Sequence, residues 1–266
     1  MSEHSPLELY CLDSGAVDSG ELPLIIIHGL LGSADNWRSH IRAWRQKRRV
    51  IAVDLRNHGR SPHADGMSYA AMSDDVLALM DRLHLDRAHV LGHSMGGKVA
   101  MSLARLAPER VASLLVADIA PVAYSHGHDE IFAAMREVQN GWPVDRREAD
   151  ALLARHIDSR AVRLFLATNL QRGEGQLTLR VGLDQIIDGY PDIIAPPAGE
   201  AAYNGPCMVL RGADSDYVQD AMLPTLREML PKARIITLKD AGHWLHADQP
   251  DAFSQAVATF IEAHPG

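Results

Sequence analysis

The chain has little of what marks secreted, membrane-spanning or metal-binding proteins. Its 266 residues contain two cysteines, Cys11 and Cys207, whose spacing fits neither a metal site nor a redox motif. Both fall in predicted strands, so we expect buried free thiols in a reducing compartment. The longest apolar stretches, such as residues 22–27, are far too short to cross a bilayer.

Positive charge is also scarce. The chain has 26 lysines and arginines against 34 aspartates and glutamates, which gives a formal net charge of −8. This balance excludes electrostatic recruitment of nucleic acid or of an anionic membrane, and we expect neither as a partner. Residues 1–6 show no basic segment followed by an apolar one, so we expect no signal peptide and a cytoplasmic location. The oligomeric state stays open.

The chain instead alternates strand-like and helix-like segments, which is typical of a parallel sheet with crossover helices. Its length allows one large α/β domain, with or without an insertion. The predicted strands are Leu24–His28, Val50–Asp54, Ala88–Leu91, Ser113–Ala117, Pro206–Arg211 and Arg234–Leu238, with Leu7–Tyr10 at an antiparallel edge. The predicted helices are Tyr69–Leu83, Ser94–Leu106, Asp220–Leu230 and Asp251–Ile261.

This rhythm changes between Pro121 and Pro197. The stretch predicts amphipathic helices without intervening strands, at His128–Asn140, Arg146–Ile157, Ser159–Leu170 and Val181–Asp188. Because it follows a strand end, where α/β proteins bind ligands, we interpret it as a helical lid. The predicted division is a core of residues 1–121 and 198–266 and a lid of residues 122–197.

The sequence Gly92-His93-Ser94-Met95-Gly96 directly follows a predicted strand and opens a predicted helix. In that context G-x-S-x-G predicts a nucleophile elbow, a turn so sharp that the serine has strained backbone geometry and an exposed hydroxyl. Glycine suits the flanking positions because a Cβ there would collide with the turn. An incidental serine in a glycine-rich turn is the alternative, which the strand–turn–helix context disfavours.

Ser94 needs a base, because a serine hydroxyl near its ordinary pKa is a poor nucleophile. His243 follows the last predicted strand, where a loop can deliver an imidazole to the carboxyl edge of the sheet. The other histidines are placed less well. We expect His93 to point away, His28 to remain at a strand end, and His246 to pack or face solvent.

Two carboxylates compete for the task of orienting His243. In most proteins with such an elbow the acid follows the penultimate strand, three residues after a glycine. Here that position, counted from Gly212, is Ser215, and Asp214 misses the spacing by one residue. Asp118 instead closes the strand that follows the elbow's helix. We therefore assign Asp118, keep Asp214 as the alternative, and expect Ser215 to add a hydrogen bond.

Two backbone N–H groups are expected to form an oxyanion hole. Met95 directly follows the serine at a helix N-terminus, where the helix dipole favours negative charge. Leu30 lies in the first strand-to-helix loop, where the small Gly29 lets the backbone approach closely. Taken alone, this loop is better explained as an ordinary tight turn. Beside the elbow, the oxyanion role is favoured.

The segment from Asp54 to Pro62 is rich in polar residues near a strand end. We expect Asp54 and Gly59 to fix a supporting loop. Contact of Arg56, His58 or Arg60 with substrate is the less favoured alternative.

The sequence predicts no metal or cofactor. His126 and His128 are two residues apart with no third ligand in sight, which disfavours a metal site. Trp37 and Trp142 are candidates to line an acyl pocket, or simply to pack.

Taken together, these residues occur in the chain order Ser94, Asp118, His243 that is typical of the α/β-hydrolase fold. More closely, the chain resembles the YbfF-type esterases and their mitochondrial relatives. The resemblance rests on residues 28–33, 54–62, 92–98, 118–122, 128–134 and 241–244, of which Arg-Asn-His-Gly and Asp-Ile-Ala-Pro-Val are the more specific. It implies an acyl-ester hydrolase with the acid at position 118 and a serine at position 215. Asp214 beside that serine is a departure from the pattern.

We therefore expect a serine hydrolase that acts on small-molecule carboxylic esters or acyl thioesters through an acyl-enzyme. Two alternatives remain. Carbon–carbon bond hydrolysis can use the same triad, since a fold does not decide its chemistry. A non-catalytic binding protein is disfavoured because it has little need of a complete set of serine, histidine and acid.

Overall fold

A mostly parallel sheet forms the centre of the computed structural model, which describes residues 5–266. Residues 1–4, part of the segment used to predict the absence of a signal peptide, lie outside the described residues. Within residues 5–266 seven strands form the main sheet, in the order β1-β3-β2-β4-β5-β8-β9. Only β1 runs antiparallel to its neighbour. These strands are β1 Cys11–Asp13, β2 Leu24–Ile27, β3 Val50–Val53, β4 Ala88–His93, β5 Val111–Ala117, β8 Cys207–Gly212 and β9 Ala233–Leu238.

Helices cover both faces of this sheet, and five of them lie between β5 and β8. They are α1 Arg38–Trp44, α2 Tyr69–Arg82, α3 Met95–Leu106, α4 Asp129–Gly141, α5 Arg146–Leu153, α6 Arg160–Leu166, α7 Leu183–Asp188, α8 Tyr190–Ile194, α9 Leu223–Met229, α10 Leu245–Asp248 and α11 Pro250–Glu262. Among the described residues, no helix combines the length and the apolar character that a bilayer span requires.

Strand residues alternate between two apolar cores, because successive side chains of a strand point to opposite faces. Ile25 and Ile27 pack in a cluster that includes residues of α2 and α3. Leu24 and Ile26 pack in a second cluster with Trp37 and with residues of α11. Both faces are thus buried, which explains why β2 reads as an unbroken apolar run rather than an alternating one.

The edge strand lies later in the chain than predicted. It spans Cys11–Asp13, not Leu7–Tyr10, although it does form an antiparallel edge as expected, where it pairs with β3. The apolar pattern that suggested the earlier position has another cause. Leu9 is buried in the core that contains α2, so its hydrophobic character reflects packing rather than strand pairing. Both cysteines lie in strands, Cys11 half-buried and Cys207 buried, and both are free thiols.

The segment between β5 and β8 is not free of strands, and that expectation was wrong. Besides α4 to α8 it contains an antiparallel hairpin, β6 Leu170–Arg172 and β7 Leu177–Leu179. The helix predicted to end at Leu170 stops at Leu166, because Leu170 pairs across this hairpin with Leu179. Each hairpin strand has three residues, too few to show a clear period of two.

The two ends of this segment close on each other at the sheet. The Tyr124 N–H donates to the Ile194 carbonyl at 2.9 Å. Lys98 of α3 reaches the same place, where its Nζ donates to the carbonyls of Ile194 at 3.3 Å and Ala195 at 2.5 Å. Burial lowers the pKa of Lys98 to about 7. The helix that follows Ser94 is therefore bonded directly to the end of the segment.

The turn from β4 to α3 depends on close contacts between backbones. A Cβ on Gly92 would lie 2.1 Å from the Gly96 carbonyl oxygen. A Cβ on Gly96 would lie 2.4 Å from the carbonyl oxygens of Ile27 and His28. Backbone atoms cannot yield as a flexible side chain can, so only glycine fits at both positions.

We expect Gly92→Ala to lower the free energy of unfolding by about 3 kcal/mol or more, because the new methyl group overpacks a rigid turn. Urea unfolding followed by circular dichroism measures this change. Gly127→Ala is the matched control, since the nearest atom to its new Cβ is 4.0 Å away. Equal stability of the two variants would contradict the steric explanation.

Candidate active site

Ser94 lies at the sharp turn between β4 and α3 with φ +53° and ψ −123°. A positive φ is uncommon for a residue with a side chain and costs about 1–3 kcal/mol, so the surrounding structure must hold it. Its N–H donates to the Ala117 carbonyl at 2.9 Å, and its carbonyl accepts from the Gly97 N–H at 2.8 Å. These bonds fix the serine at the carboxyl edge of the sheet.

The structure brings Ser94, His243 and Asp118 together in one line of hydrogen bonds. His243 Nε2 lies 2.9 Å from Ser94 Oγ, and His243 Nδ1 lies 2.8 Å from Asp118 Oδ2. A carboxylate only accepts, so Nδ1 carries the proton and donates to Asp118. Nε2 is then free to accept from the serine hydroxyl. This is the arrangement that a general base needs to take a proton from Ser94.

Asp118, and not Asp214, contacts the imidazole. The Asp118 carboxylate is completely buried, with φ +53° at its Cα. Its Oδ1 accepts from the Gly212 N–H at 3.0 Å, and its Oδ2 also accepts from the Ser215 hydroxyl. Asp214 is exposed, and its side chain makes no hydrogen bond to any residue in the range 5–266.

The loop that carries His243 is held from two sides. A Cβ on Gly212 would lie 2.4 Å from the carbonyl oxygens of Ala241 and Gly242, so the end of β8 touches this loop directly. On the other side, Asp248 of α10 accepts from the Gly242 N–H at 2.9 Å. The position of the imidazole therefore follows from the packing of β8 and α10.

Two backbone N–H groups beside Ser94 have no acceptor among the described residues. They belong to Leu30, in the loop after β2, and to Met95, the first residue of α3. Leu30 lines the cavity in front of Ser94, and Met95 lies at a helix N-terminus. Unsatisfied donors at such a place suit a negatively charged oxygen.

Buried histidines hold the Leu30 loop, a role that the sequence did not suggest for them. His58 Nε2 accepts from the Leu31 N–H at 3.1 Å, and His28 Nε2 accepts from the Leu55 N–H at 3.0 Å. Each ring donates from Nδ1 to a carbonyl. Burial lowers the pKa of His28 to about 4 and that of His58 to about 3. Both rings are thus neutral, as an accepting nitrogen requires.

Residues 54–62, which follow β3, support the loop that carries Leu30 and do not line the cavity in front of Ser94. Asp54 accepts from the Ala34 N–H at 2.6 Å and from the Arg60 N–H at 2.8 Å. Gly59 has φ +55°, and a Cβ there would lie 2.1 Å from the Asp54 carboxylate. Arg56 is buried and pairs with Asp75 at 2.7 Å. Asp54 and Gly59 therefore fix the loop that follows β3, as predicted.

A cavity of about 530 Å³ lies in front of Ser94, within the usual range for small-molecule sites. Its apolar side chains include Ile131 of α4 and four residues of α6, which are Ala161, Val162, Phe165 and Leu166. Trp37 also lines it. Trp142 does not, since it is absent from the cavity wall and 56% exposed.

His126 and His128 lie in the loop before α4. Among residues 5–266, no group of three or more histidine, cysteine, aspartate or glutamate side chains is arranged to hold a metal ion. His128 lines the cavity and bonds through Nδ1 to the Tyr190 hydroxyl at 2.6 Å.

His93 does not point away from the site, as the sequence suggested. Its Nε2 donates to the His243 carbonyl at 2.8 Å, and the two rings lie 4.9 Å apart. Burial lowers the pKa of His93 to about 3. His246 packs as expected, stacked on Trp37 at 4.5 Å.

Sequence reasoning missed Tyr217 altogether. Its ring stacks on the imidazole of His243, with ring centres 3.8 Å apart and planes 18° apart. No spacing or motif pointed to this residue, because the contact arises only when the loops after β8 and β9 fold together.

We expect the protein to lose stability in mild acid, because it contains several histidines whose folded pKa is about 3 to 4. Such an imidazole stays neutral in the folded protein but binds a proton in the unfolded chain. The free energy of unfolding therefore falls as the pH drops below about 6.5, the ordinary pKa of histidine. The loss between pH 7 and pH 5 is about 2 kcal/mol for each histidine. Urea unfolding at both pH values measures it.

His40→Phe provides the specific check, since His40 is buried among aromatic rings with its Nε2 unpartnered within residues 5–266. Removing the His40 imidazole should reduce the loss of unfolding free energy between pH 7 and pH 5 by the amount due to one histidine. If the unfolding free energy fell equally between pH 7 and pH 5 in wild type and variant, burial of His40 would not contribute to the loss of stability in acid.

Comparison with known proteins places the chain in a family. The family described as alpha/beta hydrolase fold matches residues 23–250. The chain is 40% identical over 265 residues to the sn-1-specific diacylglycerol lipase ABHD11 of Mus musculus, with 96% of this chain and 85% of that protein covered. It is 37% identical over 240 residues to Esterase YbfF of Escherichia coli (strain K12), with 90% and 92% covered.

A solved structure agrees with these relatives. The chain superimposes on a structure described as a marine microorganism esterase with a TM-score of 0.90, at 38% identity, over 96% of this chain and 99% of the other. Its mostly parallel sheet flanked by helices is the fold shared by these proteins. The chain therefore belongs to the α/β-hydrolase family, among the YbfF-type ester hydrolases.

Proposed function

We propose that the protein is a serine hydrolase that cleaves small carboxylic esters through an acyl-enzyme intermediate. The observation that carries this proposal is the hydrogen-bonded line of Ser94, His243 and Asp118 at a cavity of about 530 Å³. Relatives named as an esterase and as diacylglycerol lipases support the same reaction class.

In the first half of the reaction, Ser94 Oγ attacks the ester carbonyl carbon while His243 Nε2 takes its proton. The resulting imidazolium stays hydrogen-bonded to Asp118, which holds the tautomer and stabilises the charge. The tetrahedral intermediate then collapses. Its bond to the alcohol oxygen breaks, His243 returns the proton to that oxygen, and the alcohol leaves an acylated serine.

In the second half, water takes the place of the alcohol. His243 accepts a proton from the water as its oxygen attacks the acyl carbon, and then protonates Ser94 Oγ as the carboxylic acid leaves. The N–H groups of Leu30 and Met95 are the proposed donors to the oxyanion in both halves. One such donor contributes about 3–4 kcal/mol in comparable enzymes.

The cavity wall favours an uncharged, apolar acyl group. Ile131, Val162 and Phe165 offer apolar surface, and no lysine or arginine of the described chain lines the cavity to bind an anion. Asp248, its one carboxylate, is occupied with the Gly242 N–H. The same steps apply to an acyl thioester, with a thiol leaving in place of the alcohol, so thioesters are included in the proposed range.

Residues 122–197 are proposed to act as a lid over this cavity, with residues 1–121 and 198–266 as the core. Support comes from α4 and α6, which lie inside that segment and line the same cavity as Ser94. The bond between Tyr124 and Ile194 closes the base of the segment. Lid residues would then set the length of acyl chain that fits.

A series of 4-nitrophenyl esters with increasing acyl length tests the reaction. We expect wild type to hydrolyse them up to a length set by the cavity, and Ser94→Ala to lose at least about 10⁴-fold in kcat because it lacks the nucleophile. Ser39→Ala is the matched control, since Ser39 lines the cavity without contacting His243. The series includes one acyl thioester of the same chain length.

Folded wild type that cleaves no ester or thioester of any length would overturn the proposal. Carbon–carbon bond hydrolysis would then be the next reaction to test on the same residues.

Replacement of each carboxylate by its amide tests the assignment of the acid. We expect Asp118→Asn to lower kcat about 10⁴-fold, because an amide can no longer hold the required tautomer of His243. Asp214→Asn should stay within about twofold of wild type, since that side chain is exposed. Steady-state kinetics with one ester measure both variants. A fully active Asp118→Asn beside an inactive Asp214→Asn would reverse the assignment.

A further inference from the structure

Tyr217 makes the closest ring contact to His243 among the described residues. Their ring centres are 3.8 Å apart and nearly parallel, whereas His93 and Trp244 lie 4.9 and 5.8 Å from the same imidazole at larger angles. A parallel contact this short covers one face of the imidazole. Such aromatic pairs contribute about 0.5–1.5 kcal/mol beyond the area that they bury.

The backbone of Tyr217 is tied to the loop that carries Asp118. Its N–H donates to Ser215 Oγ at 3.3 Å, and that hydroxyl in turn donates to Asp118. Its carbonyl accepts from the Tyr124 hydroxyl at 2.5 Å, which itself accepts from the Ala120 N–H at 2.9 Å. The backbone of Tyr217 is therefore fixed relative to the same carboxylate that orients His243.

The ring face of Tyr217, not its hydroxyl, meets the imidazole. Within residues 5–266 the hydroxyl makes no hydrogen bond, and the side chain is half-buried at the cavity wall. Its contact with His243 is consequently apolar and would be kept by any flat aromatic ring.

Two hydrogen bonds alone leave the imidazole one free motion. Both bonds of His243 attach at its ring nitrogens, to Asp118 on one side and Ser94 on the other. Rotation of the ring about the axis through these two nitrogens leaves both nitrogens in place, but it swings the in-plane lone pair of Nε2 away from the serine hydroxyl. A flat ring stacked on one face opposes that rotation.

We propose that Tyr217 is a positioning residue for the reaction, which keeps the His243 imidazole in the plane where it accepts the Ser94 proton. The stacked π face also favours the imidazolium that forms in each half-reaction, since a cation is attracted to an aromatic face. This inference rests on the proposed function of Ser94, Asp118 and His243.

The test compares Tyr217→Leu, which removes the flat ring, with Tyr217→Phe, which keeps it and removes only the hydroxyl. We expect Tyr217→Leu to lower kcat about tenfold or more, and because Tyr217 also lines the cavity, kcat at saturating ester rather than KM is the readout for positioning. Tyr217→Phe should retain wild-type kcat. If the phenylalanine variant keeps the activity that the leucine variant loses, the flat ring on His243, and not the filling of space, is the feature that matters.

Labelling of Ser94 by a fluorophosphonate gives a second readout that depends on the serine and not on ester binding. Wild type should react, Tyr217→Phe should react equally fast, and Tyr217→Leu should react about tenfold more slowly. Tyr217→Met takes the place of the leucine variant if circular dichroism shows that the latter does not fold.

The outcomes separate the two proposals. A wild type that hydrolyses no ester and is not labelled at Ser94 would overturn the proposed function. An active, labelled wild type with an equally active and equally labelled Tyr217→Leu would overturn the role of Tyr217 alone. Equal losses in the leucine and phenylalanine variants would also overturn it, because the hydroxyl and not the ring would then be the group that matters.

Discussion

One buried carboxylate ties together the parts of the site. Asp118 is fully buried, and a carboxylate removed from water is costly unless it is hydrogen-bonded. Its partners come from two other segments: the Gly212 N–H and the Ser215 hydroxyl lie at and just after the end of β8, and His243 Nδ1 lies in the loop after β9. Satisfying this one group therefore fixes where the loops after β8 and β9 lie relative to β5.

Neutral histidines provide a second layer of support. His28 and His58 each accept from a backbone N–H with one nitrogen and donate to a carbonyl with the other. Only an uncharged imidazole can do both. Burial, by lowering their pKa, maintains that state at neutral pH. The loop that carries Leu30 is thus held by side chains that take no part in the proposed chemistry.

Much of this arrangement could be predicted from local sequence. The run Gly92 to Gly96 is informative because a Cβ on either glycine would lie only 2.1–2.4 Å from a backbone carbonyl oxygen, which leaves room for no other residue type. The apolar strands were predictable for a similar reason, since a sheet covered on both faces needs continuous hydrophobic runs. Ser94, Asp118 and His243 could be named because each follows one of those strands.

What the sequence did not reveal depends on contacts between distant segments. The stack of Tyr217 on His243 and the bond from His93 to the His243 carbonyl join residues far apart in the chain. The β6–β7 hairpin was not predicted because strands of three residues show no clear alternation of apolar and polar side chains. The edge strand was placed too early because Leu9 is apolar. Leu9 is buried by packing in the core and takes no part in strand pairing.

The positive φ angles at Ser94 and Asp118 have a consequence for how this protein tolerates change. Each of these two residues has φ +53°, a conformation that glycine adopts without cost and that other residues adopt at about 1–3 kcal/mol. At Ser94, selection for thermal robustness alone would favour glycine, whereas the Asp118 side chain also stabilises the fold through its hydrogen bonds to Gly212, Ser215 and His243. The fold thus keeps the Ser94 hydroxyl at a cost in stability, and a glycine variant that gains heat resistance at this position would lose that hydroxyl.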